Sequence, residues 1–166
     1  MISAIVAVDE NWGIGFNGEL LEKIPEDMKY FKDLTIKNIV VMGRKTWDSL
    51  PSQPLPDRLN IVLSRYYSTP ACEHTLCMTL ENLKYVIDND DRFLEDIFII
   101  GGGQIYKELL PLCDRVYVTK ICKDHKNVDT YFPNLDKMPE WEISSCTELR
   151  EYNGLYYSFL TYDRIS

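Results

Sequence analysis

Apolar and polar positions alternate in blocks along this chain, and each block has the length of a strand or a short helix. Ile2 to Val8 is apolar almost throughout, the mark of a strand covered on both faces rather than one with a wet side. Asn11 to Lys23 carries Gly13, Gly15 and Gly18 among polar residues and reads as a mobile loop. Pro25 then opens a helix at a first-turn position, where a missing N–H costs nothing. Met28, Phe31 and Leu34 give that helix one apolar stripe, and Glu26 and Asp27 fall in its first turn. Ile39 to Met42 is a second apolar strand, entering Gly43 and a short helical stretch from Arg44 to Leu50. Pro51, Pro54 and Pro56 force an extended loop before a third strand, Leu59 to Leu63.

Thr75 to Met78 is strand-like. Leu80 to Ile87 is helical, with Leu80, Leu83, Val86 and Ile87 on one side and the acidic run Asp88 to Asp91 at its end. Ile97 to Ile100 enters Gly101-Gly102-Gly103 and leaves as a helical pattern through Ile105, Tyr106, Leu109 and Leu110, closed by Pro111. Val116 to Ile121 is another strand, and Trp141 to Cys146 with Tyr156 to Tyr162 form a closing antiparallel pair around the Asn153-Gly154 turn signal. Strands alternating with helices over the first two-thirds predict an α/β fold. It is a single domain over residues 1–166, a mostly parallel twisted sheet with helices on both faces and a C-terminal antiparallel hairpin.

Composition narrows the function classes. The 166 residues carry a formal charge of −8, which argues against nucleic acid or an anionic membrane as partner. Between Lys29 and Arg65, however, seven basic residues face three acidic ones, a local island suited to a small polyanion. Five cysteines without a C-x-x-C pair argue against a disulfide framework and read as small buried hydrophobes in a reducing compartment. The longest apolar runs are strand-sized, and the first strand follows Met1 without a basic leader, so the expected location is the cytoplasm.

The candidate chemistry follows strand ends, where ligands of parallel sheets bind. The Gly loop lies after the first strand, Gly43-Arg44-Lys45-Thr46 after the second, Ser64-Arg65 after the third, and Gly101 to Gly103 after Ile97 to Ile100. Glycines between a strand and a helix let helix N-terminal N–H groups approach a phosphate, although a tightly packed turn needs them equally. Neither G-x-G-x-x-G after the first strand nor a P-loop is present. Two distant histidines, His74 and His125, give no nucleophile or metal context. Cys72-x-His74-x-x-Cys77 lacks a fourth ligand, so no metal is expected. Asp27, on the same side of its helix as Met28 and Phe31, is either a helix-start surface acid or a carboxylate facing a pocket.

These stretches together resemble dihydrofolate reductase from end to end. The resemblance runs through Ile2 to Val8, Trp12 to Gly18, Ile24 to Phe31, Val41 to Trp47, Leu55 to Arg58, Leu63 to Arg65, Ile99 to Tyr106 and Asp129 to Pro133, in family order. It implies NADPH-dependent reduction of 7,8-dihydrofolate to tetrahydrofolate, with hydride delivered to pterin C6 and N5 protonated. It also implies a monomer that binds dihydrofolate and antifolates. The implied catalytic group is Asp27, which pairs with the pterin N3 and 2-amino edge, supported by the Thr119 hydroxyl, with Leu20 beside the nicotinamide. Substrate contacts fall to Ile5, Val6, Ala7, Met28, Phe31, Ser49, Leu50, Leu55 and Ile100, and Arg58 takes the substrate's glutamate α-carboxylate.

On the cofactor side the resemblance assigns Arg44, Ser64 and Arg65 to the 2′-phosphate and Lys45 and Thr46 to the phosphate bridge. Gly101, Gly102, Gly103, Gln104 and Ile105 form the pyrophosphate loop, with Gly43, Leu63, Thr79, Ile100 and Tyr106 nearby. Ala7, Gly13, Ile14, Gly15, Phe16, Asn17, Gly18, Glu19 and Leu20 line the nicotinamide and lid, and Gly101-Gly102 matches a cis peptide. One position departs from the family. Leu20-Leu21-Glu22 stands where Leu-Pro-Trp is usual, so Glu22 is expected to point to solvent, touch substrate, or leave a chain that binds with little turnover. Near Asp27 it would raise one carboxyl's pKa. A related pteridine or pyrimidine reductase would alter Asp27, Phe31 or Arg58, and all three are present.

Overall fold

Successive residues of β1 (Ile2–Val8) turn to opposite sides of a sheet, and the computed structural model, which describes residues 1–65, 74–89 and 95–165, shows both sides covered. Further along the chain lie β2 (Gly13–Phe16), β3 (Glu19–Leu20), α1 (Pro25–Thr35), β4 (Ile39–Gly43), α2 (Arg44–Ser49), β5 (Leu59–Leu63), β6 (Thr75–Met78), α3 (Leu80–Asn89), β7 (Ile97–Gly101) and α4 (Gly103–Leu109). The remainder is β8 (Arg115–Ile121), β9 (Thr130–Tyr131), β10 (Trp141–Cys146), β11 (Arg150–Tyr152) and β12 (Leu155–Arg164). Among the described residues the main sheet has the order β10-β12-β8-β1-β7-β4-β5-β6, with β11 also on β12. From β8 to β6 neighbouring strands are parallel.

One face buries Ala4, Val6 and Val8 with Val41, Ile61, Ile99 and Val118 against Leu83 of α3 and Tyr106 and Leu109 of α4. The other buries Ile5, Val40, Met42, Val62 and Phe98 against Phe31 and Leu34 of α1 and Trp47 of α2. A two-residue period read from β1 and β4 therefore specifies a three-layer α/β/α arrangement.

Two elements differ from the reading of the sequence. The stretch from Asn11 to Lys23 is not an unstructured loop. Asn17 (φ 54°) and Gly18 (φ 80°) form a two-residue turn that pairs Phe16 with Glu19, and β2 also pairs with β9. Positive φ at both central residues is the hairpin turn that matches strand twist, so the Asn-Gly pair carries a strand signal which the flanking glycines conceal. At the C-terminus, Asn153-Gly154 joins β11 to β12, while β10 pairs with the far end of β12, so one arm of the hairpin is split. Thr147 bridges the gap: its Oγ1 accepts from the Phe159 N–H at 2.9 Å.

The cysteines also depart from expectation. Cys113 is buried, but Cys122 and Cys146 are exposed, the latter on an edge strand with an outward-facing row. Cys72, of the Cys72-His74-Cys77 cluster, and the end of the Asp88 to Asp91 run lie outside the described residues. Among the described residues no group of three or more potential ligands gathers as a metal site, and no helix is long and apolar enough to cross a membrane.

Candidate active site

Ile24 is buried and Pro25 starts α1, so the first turn of that helix is anchored beside the sheet and Asp27 is carried inward. The Thr119 hydroxyl, on β8, donates to Asp27 Oδ1 at 2.6 Å. Thr119 lies opposite Ala7 of β1 and Phe159 of β12, which fixes where the carboxylate stops. Burial raises the Asp27 pKa above the ordinary carboxyl value, and the Thr119 donor offsets part of that rise. Glu22 takes no part in it. The Glu22 carboxylate instead lies 3.0 Å from His125 Nε2 and accepts from Lys123 Nζ at 3.0 Å, with 26% of its side chain exposed. Burial pushes its pKa up, yet these two partners outweigh burial and leave it lowered. Glu22 is thus turned toward the basic residues of the β8–β9 loop, and the rise in the Asp27 pKa comes from burial, with no contribution from Glu22.

Ile5, Phe31, Leu50, Leu55 and Ile100 gather in the apolar cluster on the α1 side of the sheet, and Ala7 packs beside them with Tyr30 and Ile121. Val6 does not join them: the pleat turns its side chain to the α3–α4 face. Met28 (58% exposed) and Leu20 (64% exposed) stand at the surface, and the Ser49 hydroxyl is spent on the Thr46 carbonyl at 2.7 Å. Arg58 is only 7% exposed. Its Nε donates to the Pro56 carbonyl at 2.9 Å, its Nη1 donates to Thr35 Oγ1 at 3.0 Å, and the guanidinium carbon lies 5.9 Å from the Phe31 ring centroid. Among the described residues no carboxylate lies within ion-pair distance of it. Desolvation lowers its pKa while Asp57 raises it, the net being downward. The contacts that hold this buried guanidinium are thus to neutral groups.

The cofactor candidates line the carboxyl ends of the parallel strands. Register places Gly101 beside Met42, Gly43 beside Leu63, and Leu63 beside Met78, so the loops after β7, β4, β5 and β6 form one row. The Gly101–Gly102 peptide is cis. A side chain at Gly101 or Gly102 would sit 3.3 or 3.4 Å from Thr46 Oγ1, and one at Gly43 would sit 3.0 Å from Ile105 Cγ1. Arg44, Lys45 and Arg65 are exposed at this edge, and Arg44 Nε reaches Asp48 at 3.6 Å. Ser64 is half-buried, its N–H donating to the Met78 carbonyl at 3.0 Å. Thr79 caps α3 through the Asn82 N–H at 3.2 Å, and Gln104 bonds Glu108 along α4. Gly13 and Ile14 are buried in the small sheet, Gly15 is half-buried, and Phe16, Asn17, Gly18 and Glu19 form its exposed tip.

Tyr106 links the two halves of the site. Its hydroxyl donates to the Ile5 carbonyl at 2.7 Å, a β-carbon at Gly101 would lie 3.6 Å from it, and burial followed by the Asp27 charge pushes its pKa far up. The residue pattern marks Tyr106 as a helix position and the resemblance places it near the pyrophosphate loop, but neither gives its bond to Ile5. A lone aromatic hydroxyl on an otherwise apolar stripe is the available signal that it bonds inward.

Residues 1–164 match the family model described as dihydrofolate reductase. The dihydrofolate reductase of Bacillus subtilis is 39% identical, covering 99% of this chain and 95% of that protein. That of Sus scrofa is 35% identical, covering 98% and 97%. A bifunctional dihydrofolate reductase-thymidylate synthase of Daucus carota is 40% identical over 97% of this chain, which spans 33% of that longer protein. Among solved structures, dihydrofolate reductase from Enterococcus faecalis complexed with NADP(H) and RAB-propyl superposes with a TM-score of 0.85 at 34% identity, covering 100% of this chain and 97% of that one.

Proposed function

The chain belongs to the dihydrofolate reductase family of NADPH-dependent oxidoreductases, which reduce 7,8-dihydrofolate to 5,6,7,8-tetrahydrofolate, and we propose that Asp27 and the loops after β4, β5 and β7 carry that reaction here. The observation that carries the residue assignment is the inward carboxylate of Asp27, held by Thr119 at the margin of the Ile5–Phe31–Ile100 wall. A carboxylate in that position accepts two parallel N–H donors from the amino-pyrimidine edge of a pterin, each charge-assisted bond being worth about 1.5 to 3 kcal/mol. It thereby orients the ring and favours the tautomer that takes a proton at N5.

The residues at the strand ends fit a reduced dinucleotide phosphate. Glycines stand at 43 and 101 to 103, where β-carbons would crowd Ile105, Thr46 and Thr130, and basic residues border that cradle. Arg44, Ser64 and Arg65 would hold the 2′-phosphate, and Lys45, Thr46 and the N–H groups of residues 102 to 105 the pyrophosphate. When bound, NADPH supplies the hydride for pterin C6. Ala7, Ile14 and Leu20 would border the nicotinamide, excluding water from the transfer path. Arg58 would take the glutamate α-carboxylate, the anion that its desolvated guanidinium lacks among the described residues.

The test is loss of reduced-nicotinamide absorbance when NADPH and dihydrofolate are mixed with the protein, abolished by an antifolate. No such loss with the folded wild-type chain overturns the reading. The −8 charge and the free cysteines among the described residues support a cytoplasmic monomer that takes small ligands rather than nucleic acid, and sedimentation at micromolar concentration checks the oligomeric state.

A further inference from the structure

His125 is buried to 10% side-chain exposure between two carboxylates that bracket the lid. Asp9, with only 1% of its side chain exposed, ends β1 where the lid begins; Glu22 stands where the lid returns to α1. His125 Nδ1 lies 3.1 Å from Asp9 Oδ2, and Nε2 lies 3.0 Å from Glu22 Oε1. A neutral imidazole has one N–H and one lone pair, so it would satisfy one carboxylate and set its lone pair against the other. Only the doubly protonated ring donates to both.

We propose that His125, held between Asp9 and Glu22, is a positioning residue that fastens the two ends of the 9–24 loop together and so holds the lid and the start of the Asp27 helix in register. The inference rests on the dihydrofolate reductase reading for its kinetic part. The other groups around the ring fit the role. Asp9 Oδ1 accepts from the Asn11 and Gly13 N–H groups at 2.9 and 2.8 Å, and Oδ2 accepts from the His125 N–H at 3.2 Å, so this carboxylate organises the lid's first turn as well. On His125's own loop, Lys123 pairs with Glu22, while Asp124 accepts from Asn11 Nδ2 at 2.6 Å and Glu10 donates its N–H to the Lys123 carbonyl. The cluster thus presents Asp9 and Glu22 to one ring and one lysine, and no third carboxylate contacts the ring among the described residues.

This also accounts for Glu22. An indole at that position could not accept from the imidazole, and the acidic residue converts a packing contact into an ionic one. Lys123 holds Glu22 from the same loop, and Asp9 keeps its backbone donors, so the ring adds the one contact that spans both ends of the lid.

The experiment has two arms on the full chain. Ring-nitrogen NMR with NADP+ added, His125 distinguished from His74 by a His74→Gln variant, is expected to show both His125 ring nitrogens hydrogen-bonded. A nitrogen free of any hydrogen bond overturns the proposal. Turnover is then compared in the wild type, His125→Gln and Glu22→Gln. Both variants should turn over about tenfold more slowly, while the KM for dihydrofolate changes little. A folded variant with wild-type kcat overturns the proposal, and so does a loss that falls on KM alone. If the wild type reduces no dihydrofolate, the reading of function fails, while the ring spectrum still decides the tether.

Discussion

Thr119 Oγ1 and Asp27 Oδ1, 92 residues apart in sequence, meet at 2.6 Å, and this contact positions the carboxylate and offsets part of the pKa rise that burial imposes. Thr119→Val removes the donor that opposes burial, so the acid limb of the kcat/KM profile is expected to move to higher pH. At neutral pH kcat/KM should fall about tenfold, the worth of one hydrogen bond to a charged group.

Asp27→Asn is expected to lower turnover by on the order of a hundredfold or more while NADPH affinity is retained, measured by steady-state kinetics and cofactor titration. Stability moves the other way. The folded carboxyl titrates above its unfolded value, so its contribution is fully present below the unfolded pKa and is lost as pH rises through the folded one. Asparagine has no such loss. Thermal melts should therefore show Asp27→Asn gaining on the wild type between acid and neutral pH.

Arg58→Met should raise the KM for dihydrofolate on the order of tenfold to a hundredfold, since the buried guanidinium is placed to take the substrate's carboxylate. A dihydropterin without the glutamate tail is the control, and its KM should not move.

Gly103→Ala places a β-carbon 2.6 Å from Thr130 Cγ2, pushing α4 away from β9. Chemical denaturation should show a loss of about 1 to 3 kcal/mol, with a rise in the KM for NADPH. Gly18→Ala, where nothing lies within 4 Å but φ is +80°, should cost about 1 kcal/mol through backbone strain.

Much of this architecture is legible in the residue pattern because β1, β4, β5 and β7 are buried on both faces, and β4 and β7 run into glycines. Leu59 to Leu63 comes out with the same ends in both readings. The Asn17-Gly18 hairpin is obscured because its strands are short and half-exposed, leaving little apolar alternation to read. The C-terminal hairpin misleads for a related reason. Its first arm is interrupted at Thr147, and β11 is exposed throughout. Of the site, Asp27, Thr119 and Arg58 are reachable through resemblance. The partners of Glu22 are not, since they depend on how the β8–β9 loop folds back over the lid. Val6 is a matter of parity: in a strand with period two, adjacent residues cannot wall the same cavity.

Ile5 serves two masters, its side chain walling the folate side of the sheet and its carbonyl receiving the Tyr106 hydroxyl from the helix that begins at the glycine triplet. An inhibitor that displaces β1 as it wedges against Ile5 must also tug on α4, and a nucleotide that settles α4 must steady β1. If occupancy of one half is felt by the other through this bond, thermodynamic reciprocity requires the two effects to be equal. Antifolate potency against this chain should accordingly be quoted together with the nucleotide present in the assay.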